Sequence, residues 1–194
     1  APEYVSPGPW LSNPLAADRA RIVVVDRPES VQSEIMVGTP GPDRHHPGGW
    51  APFPVLGFLM GGSPTARIDA VLREDKGYTY GIRATFRPRR RGGVFVAAGS
   101  VRSEVTADAL RLLLDVLDGA RDGFSADEVA EAAQFLVLTA PSRYATADTV
   151  ADEAANLSYD GLDTAFTSRN LREVAAMDAE RAHAAYREFV DGRW

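Results

Sequence analysis

The pattern of apolar and polar residues predicts four strands in the first half of the chain. Arg21–Val25 contains four consecutive β-branched residues, and such a run predicts a buried strand. Val31–Gly38 alternates apolar with polar side chains, which predicts a strand buried on one face. Tyr78–Arg87 and Val94–Val101 alternate in the same way, and Pro88–Gly93 between them is rich in turn residues, so this pair predicts a hairpin.

Helical spacing and capping residues predict helices in most of the remaining chain. The apolar stretch 50–60 contains two prolines, so we expect an irregular buried helix there. A helix over 64–76 is predicted by Ser63 as its N-cap and Gly77 as its left-handed C-cap. A capping box of the Ser-x-x-Glu type opens at Ser125 and predicts the start of another helix. Further helices are expected from 106 to 119 or 123, and at about 146–158, 163–175 and 178–190.

The order of these elements predicts an α+β domain. Strands come first, a hairpin follows, and paired helices fill the second half, which favours an antiparallel or mixed sheet with helices packed on one face. Residues 1–20 are proline-rich and lack any period, so we interpret them as a linker or N-terminal extension. Residues 21–194 are long enough for a single domain with its own hydrophobic core.

Composition narrows the classes of function. The net charge of -6 argues against a nucleic-acid partner, because binding phosphates requires a basic surface. The absence of cysteine excludes disulfides, cysteine-based zinc sites and a thiol nucleophile. No apolar run is long enough to span a membrane, and we expect a cytoplasmic protein.

The residues do not form a self-sufficient active site. The histidines are His45, His46 and His183, and their spacing fits neither H-E-x-x-H nor H-x-x-E-H. We expect the first two in a solvated loop and the third as a packed or surface residue of a helix. Gly61-Gly62-Ser63 matches neither a nucleophile elbow nor a phosphate-binding loop.

Two segments resemble the second half of pitrilysin/insulinase-type zinc metallopeptidases. Val25–Asp43 resembles the opening strands of that half, and Met60–Tyr80 resembles its Leu-Gly-Gly turn, its Ser-Arg-Leu segment and its Leu-Arg-Glu-x-x-Gly-x-x-Tyr motif. The similarity extends over about residues 21–190. Met60, Ala66 and Ile68 depart from the family pattern. The last motif is met in full by Leu72, Arg73, Glu74, Gly77 and Tyr80.

The resemblance implies a division of labour between two homologous halves around a peptide chamber. One half carries H-x-x-E-H and a distal glutamate that bind zinc. The other supplies an arginine and a tyrosine, which correspond here to Arg73 and Tyr80. The tyrosine hydroxyl would donate to the scissile carbonyl oxygen as it gains charge, and the guanidinium would bind peptide carbonyls or a carboxylate.

The resemblance also implies that this chain binds no cofactor itself and is inactive alone. The zinc would lie in a catalytic half with the H-x-x-E-H motif, either in the same polypeptide or in a heterodimer, and the pair would bind a peptide substrate. The maturation of a ribosomally made peptide is one variant of this function.

Other interpretations remain open at this point. Periodicity places Tyr80 on one face with Ile82 and Phe86, which predicts a core residue, and Arg73 in a last helical turn could serve only the helix dipole. The chain could also be an inactive scaffold subunit with the same fold, or an unrelated α+β ligand-binding domain.

Overall fold

Three antiparallel strands form the sheet in the part of the chain that the structure describes. The computed structural model describes residues 22–192 and 194. Its strands are β1 (Gln32–Gly41), β2 (Arg83–Pro88) and β3 (Gly93–Arg102), in the order β1-β3-β2. The hairpin of β2 and β3 was predicted, and β1 pairs along the whole of β3. The predicted α+β class with an antiparallel sheet is confirmed.

The helices follow the predicted order. Two of them change from α-helical to π-helical hydrogen bonding: α1 (Pro52–Gly57) continues as Phe58–Gly62, and α2 (Arg67–Asp69) continues as Ala70–Asp75. The other α-helices of the described residues are α3 (Thr106–Gly119), α4 (Ala126–Thr139), α5 (Ala147–Asp160), α6 (Phe166–Ala175) and α7 (Ala179–Phe189). No described helix is long and apolar enough to cross a membrane.

The core lies against one face of the sheet. Ile35 and Val37 of β1 are buried, whereas their neighbours on the strand are exposed or half-buried. Phe53 of α1 is fully buried, and its ring centroid lies 5.0 Å from that of Phe86 and 5.5 Å from that of Phe189. The other face of the sheet stays open in part, since Met36 is 71% exposed.

The predicted strand at 21–25 is wrong for the residues that the structure describes. Residues 22–25 form no strand, and all four side chains are exposed. A strand needs a neighbour for its backbone hydrogen bonds, and none of the described residues provides one here. Arg21 and the predicted linker 1–20 lie outside the described residues.

The start of α2 also differs from the prediction. Ser63 does not cap the helix: it is extended and buried, and the Ala66 N–H donates to its carbonyl in a turn before the helix begins at Arg67. Ala66 holds the N-cap position. The capping box of α4 is confirmed, because the Ser125 side chain accepts from the Glu128 N–H and the Glu128 carboxylate accepts from the Ser125 N–H.

Candidate functional site

The segment 73–82, formed by the last turn of α2 and the loop before β2, carries both residues that the family motif singles out. Its first part reverses the chain at Gly77, whose φ of 61° is left-handed and confirms the predicted C-cap. The Gly77 N–H donates to the Arg73 carbonyl oxygen at 3.0 Å, and the Tyr78 N–H donates to that of Leu72 at 2.9 Å. Because Leu72 is fully buried, the turn is tied to the core at its base.

Arg73 lies on the outside of this turn. Its side chain is 42% exposed, and Nε lies 3.4 Å from a carboxylate oxygen of the adjacent Glu74. Ion pairs of this exposed kind contribute little to stability, because solvent screens them and the side chains lose freedom. The ion pair with Glu74 therefore holds the guanidinium only weakly.

Tyr80 points into solvent, so the interpretation of Tyr80 as a core residue is wrong. Its side chain is 92% exposed, whereas Ile82 is fully buried and Phe86 is buried as well. Periodicity failed because the alternation does not run through this segment. The strand begins only at Arg83, and Gly81 has a φ of 149° that breaks the extended path.

The backbone on both sides of Tyr80 is held in place. The Thr79 hydroxyl donates to the Ser100 carbonyl at 2.7 Å and accepts from the Gly81 N–H at 3.0 Å. Beyond Tyr80, the Ile82 N–H donates to Oδ1 of Asp69, a carboxylate that is completely buried. An exposed aromatic side chain thus stands on a fixed backbone.

Sequence reasoning missed Asp69. In the helix predicted over 64–76, Asp69 lies beyond the first turn, and its position in the sequence suggests only an acidic residue on an exposed face. In the structure its Oδ2 finds no hydrogen-bond partner among the described residues, and it lies close to Gly81. The only available signal was its place between the two apolar residues Ile68 and Ala70, which does not by itself reveal burial.

The histidines serve contacts between elements rather than a shared site. His45 Nε2 lies 2.7 Å from the Asp160 carbonyl, and His183 Nε2 lies 2.7 Å from that of Arg121. His46 packs edge-on against Phe53, so its expected place in a solvated loop is wrong. Within residues 22–192 and 194, no group of three or more histidine, aspartate or glutamate side chains could hold a metal ion.

A partly buried cluster holds the start of α2 against the start of α4. Arg67 donates through Nε and Nη2 to the two carboxylate oxygens of Glu128, each at 3.0 Å, and Nη2 also donates to the Gly123 carbonyl. Its guanidinium carbon lies 4.5 Å from the ring centroid of Phe124. The Arg67 hydrogen bonds, helped by those from Ser125, lower the pKa of Glu128 to about 2.

We expect this pair to stabilise the fold at neutral pH and to lose its effect in acid. The pKa of Glu128 is lower in the folded state than its ordinary value, so its contribution is complete above about pH 4.5 and declines as the pH falls toward 2. For a fully buried carboxylate, a pKa shift of this size would correspond to a stabilisation of about 3 kcal/mol. The Glu128 side chain is 38% exposed, so screening reduces this to about 1 kcal/mol.

Urea unfolding of the protein and of Glu128→Gln, measured from pH 6 to pH 3, checks this expectation. The difference in free energy of unfolding should shrink as the pH falls. Asp108→Asn, which removes an exposed partner of Arg111, serves as the control and should change stability little at any pH. A difference for Glu128→Gln that stays constant across this range would contradict the assigned pKa shift.

A comparison with known protein families matches more than half of this chain. The family model described as the peptidase M16 inactive domain matches residues 4–136, which include β1, α1, α2 and the hairpin. No curated protein matches the chain.

Solved structures share the fold at low sequence identity. A protease from Helicobacter pylori matches with a TM-score of 0.79 and 16% identity, over 98% of this chain and 46% of the other. The peptidase M16 inactive domain from Pseudomonas fluorescens matches with a TM-score of 0.76 and 23% identity, over 84% of this chain and 39% of the other. A chain of complex III2 from Candida albicans matches with a TM-score of 0.69 and 13% identity, over 83% and 40%. The chain thus spans less than half the length of these three proteins.

Proposed function

Because the chain belongs to the family of peptidase M16 inactive domains, we propose that it completes the peptide-binding cleft of a zinc metallopeptidase. The membership agrees with the resemblance to pitrilysin-type peptidases and with a non-catalytic role for this domain. In the proposal, the catalytic half carries H-x-x-E-H and lies outside these 194 residues, in the same polypeptide or in a partner subunit.

The observation that supports this function is the exposure of Tyr80 on an anchored turn. A large aromatic side chain that is 92% exposed gains nothing from burial in this domain. Thr79 and Asp69 nevertheless fix the backbone on either side of it. Polar and aromatic side chains presented from a rigid base in this way are typical of binding surfaces.

Arg73 and Tyr80 would act on the bound peptide in different ways. The Tyr80 hydroxyl can donate a hydrogen bond to the scissile carbonyl oxygen, and this bond strengthens as the oxygen gains negative charge. Arg73 has only an exposed ion pair with Glu74 to give up, and its guanidinium can bind backbone carbonyls or a carboxylate of the peptide. Zinc would be held by the catalytic half and would activate the attacking water there.

Reconstitution tests this function. The purified chain alone should not cleave a library of fluorogenic peptides. Together with the H-x-x-E-H half encoded with it, it should give hydrolysis that a chelator abolishes, and the catalytic half alone should be far less active. The proposal fails if the chain by itself binds zinc stoichiometrically and cleaves peptides, or if the catalytic half needs no second half for full activity.

A second candidate is an inactive scaffold subunit with the same fold. The likeness to a chain of complex III2 favours it, because that chain is part of an assembly. A complex that forms with another subunit but never hydrolyses peptides would support this role instead.

A further inference from the structure

Four consecutive β-branched side chains stand in solvent just before the sheet. Ile22, Val23, Val24 and Val25 are 83%, 67%, 85% and 77% exposed. Such a run has strong β-propensity and lacks charge, and when exposed it promotes aggregation. A chain that keeps it exposed in its working state would be poorly soluble, so a cover for these residues is expected.

The segment does not pair with the described part of this chain. No backbone hydrogen bond joins residues 22–25 to any other described residue. β1 lies at an edge of the sheet, but a strand added there would place every second side chain beside Glu34 and Met36, on the open face. Apolar side chains at all four positions instead indicate a strand that is buried on both faces.

The backbone that follows this segment is nevertheless held by hydrogen bonds. The Ser103 hydroxyl donates to the Ser30 carbonyl at 2.6 Å, and the Ser103 N–H donates to that of Val31 at 3.2 Å. The Ser30 N–H closes a turn by donating to the Arg27 carbonyl. These bonds hold residues 27–31 against the end of β3. They therefore limit the directions in which residues 22–25 can extend from the domain.

We infer that Ile22–Val25 is an interface strand that pairs with the sheet of the catalytic half; this rests on the proposed function. The match to the family model begins at residue 4, so the segment is part of the domain pattern. The likeness to the Helicobacter pylori protease covers nearly all of this chain, while the chain spans less than half of that protein. A longer relative therefore contains both this domain and additional chain that could cover the strand.

Hydrogen exchange measured by mass spectrometry tests the pairing. Amides 22–25 should exchange fast in the isolated chain and at least about tenfold slower in the complex with the H-x-x-E-H half, because strand hydrogen bonds protect amides. The double variant Ile22→Thr/Val24→Thr keeps β-propensity but removes apolar surface. It should weaken association by about tenfold or more. Val150→Thr, an exposed position on α5, is the matched control and should leave association unchanged.

Three results would overturn the inference. Fast exchange of amides 22–25 in the complex would mean that no pairing occurs. Protection in the dilute isolated chain would mean that the segment pairs within the chain, and protection that grows with the concentration of the chain alone would mean that a second copy covers it.

The same experiment separates this inference from the proposed function. If the amides of residues 22–25 are protected in the complex but no peptide is hydrolysed, the interface strand is supported and the proposed cleft function is contradicted. If peptides are hydrolysed while the amides at 22–25 stay unprotected, the cleft function is supported and the interface strand is contradicted.

Discussion

Tyr80→Phe is expected to lower kcat of the assembled peptidase by about 100-fold, the usual effect of removing one donor to a developing oxyanion. KM should change little, because a neutral carbonyl in the ground state gains much less from that hydrogen bond than the charged oxygen of the transition state. The fold should not be affected, since the Tyr80 hydroxyl makes no hydrogen bond with the described residues and the ring is exposed.

Steady-state kinetics on the complex, with a fluorogenic peptide, gives both constants. Tyr159→Phe is the matched control, because Tyr159 is also an exposed tyrosine but lies on α5. It should leave kcat unchanged. If Tyr80→Phe behaves like this control while the complex still cleaves peptides, the hydroxyl has no role in the transition state and the cleft function must rest on other residues.

Local signals predicted much of the fold because their physical cause is also local. The capping box at Ser125 needs only residues within one helical turn, and Gly77 ends α2 because it accepts a left-handed φ without strain. Ser63 failed as a cap for a non-local reason. The chain packs it into the interior in an extended form, and a sequence window cannot show that packing.

The candidate site could be selected from the sequence only through the family motif. Periodicity alone placed Tyr80 in the core, because nothing in the alternation reveals that Gly81 turns the backbone between Tyr80 and Ile82. The prediction for Ile22–Val25 was wrong in the opposite direction. The composition of this segment is that of a buried strand, but its side chains are exposed and no described residue covers them. For Tyr80 the missing information was the backbone conformation of its neighbour Gly81, and for Ile22–Val25 it was the absence of a pairing partner among the described residues.

Gly61→Ala is expected to destabilise the fold by about 3 kcal/mol, the upper end of the usual cost of adding a methyl group to a well-packed interior. Gly61 lies at a kink near the end of the π-helical part of α1, with a non-helical φ of -161°, and this part packs directly on β2. A methyl group there would lie 2.4 Å from the backbone nitrogen of Ala84 and 2.8 Å from the carbonyl oxygen of Ile82. Both contacts are with backbone atoms, so no side-chain rotation relieves them. This contact accounts for one glycine of the family's Leu-Gly-Gly turn.

Urea unfolding of Gly61→Ala measures this cost, with Gly119→Ala as the control. Gly119 lies at the end of α3, and nothing lies within 4 Å of a methyl group added there, so its replacement should be neutral or stabilising. The clash at Gly61 should also affect the candidate site. The added methyl group would displace the backbone of Ile82, which ends the turn that carries Tyr80. In the assembled peptidase, Gly61→Ala should therefore lower kcat at temperatures where the variant is still folded. A variant as stable as the parent would mean that α1 and β2 can move apart, and that the position of Tyr80 does not depend on their contact.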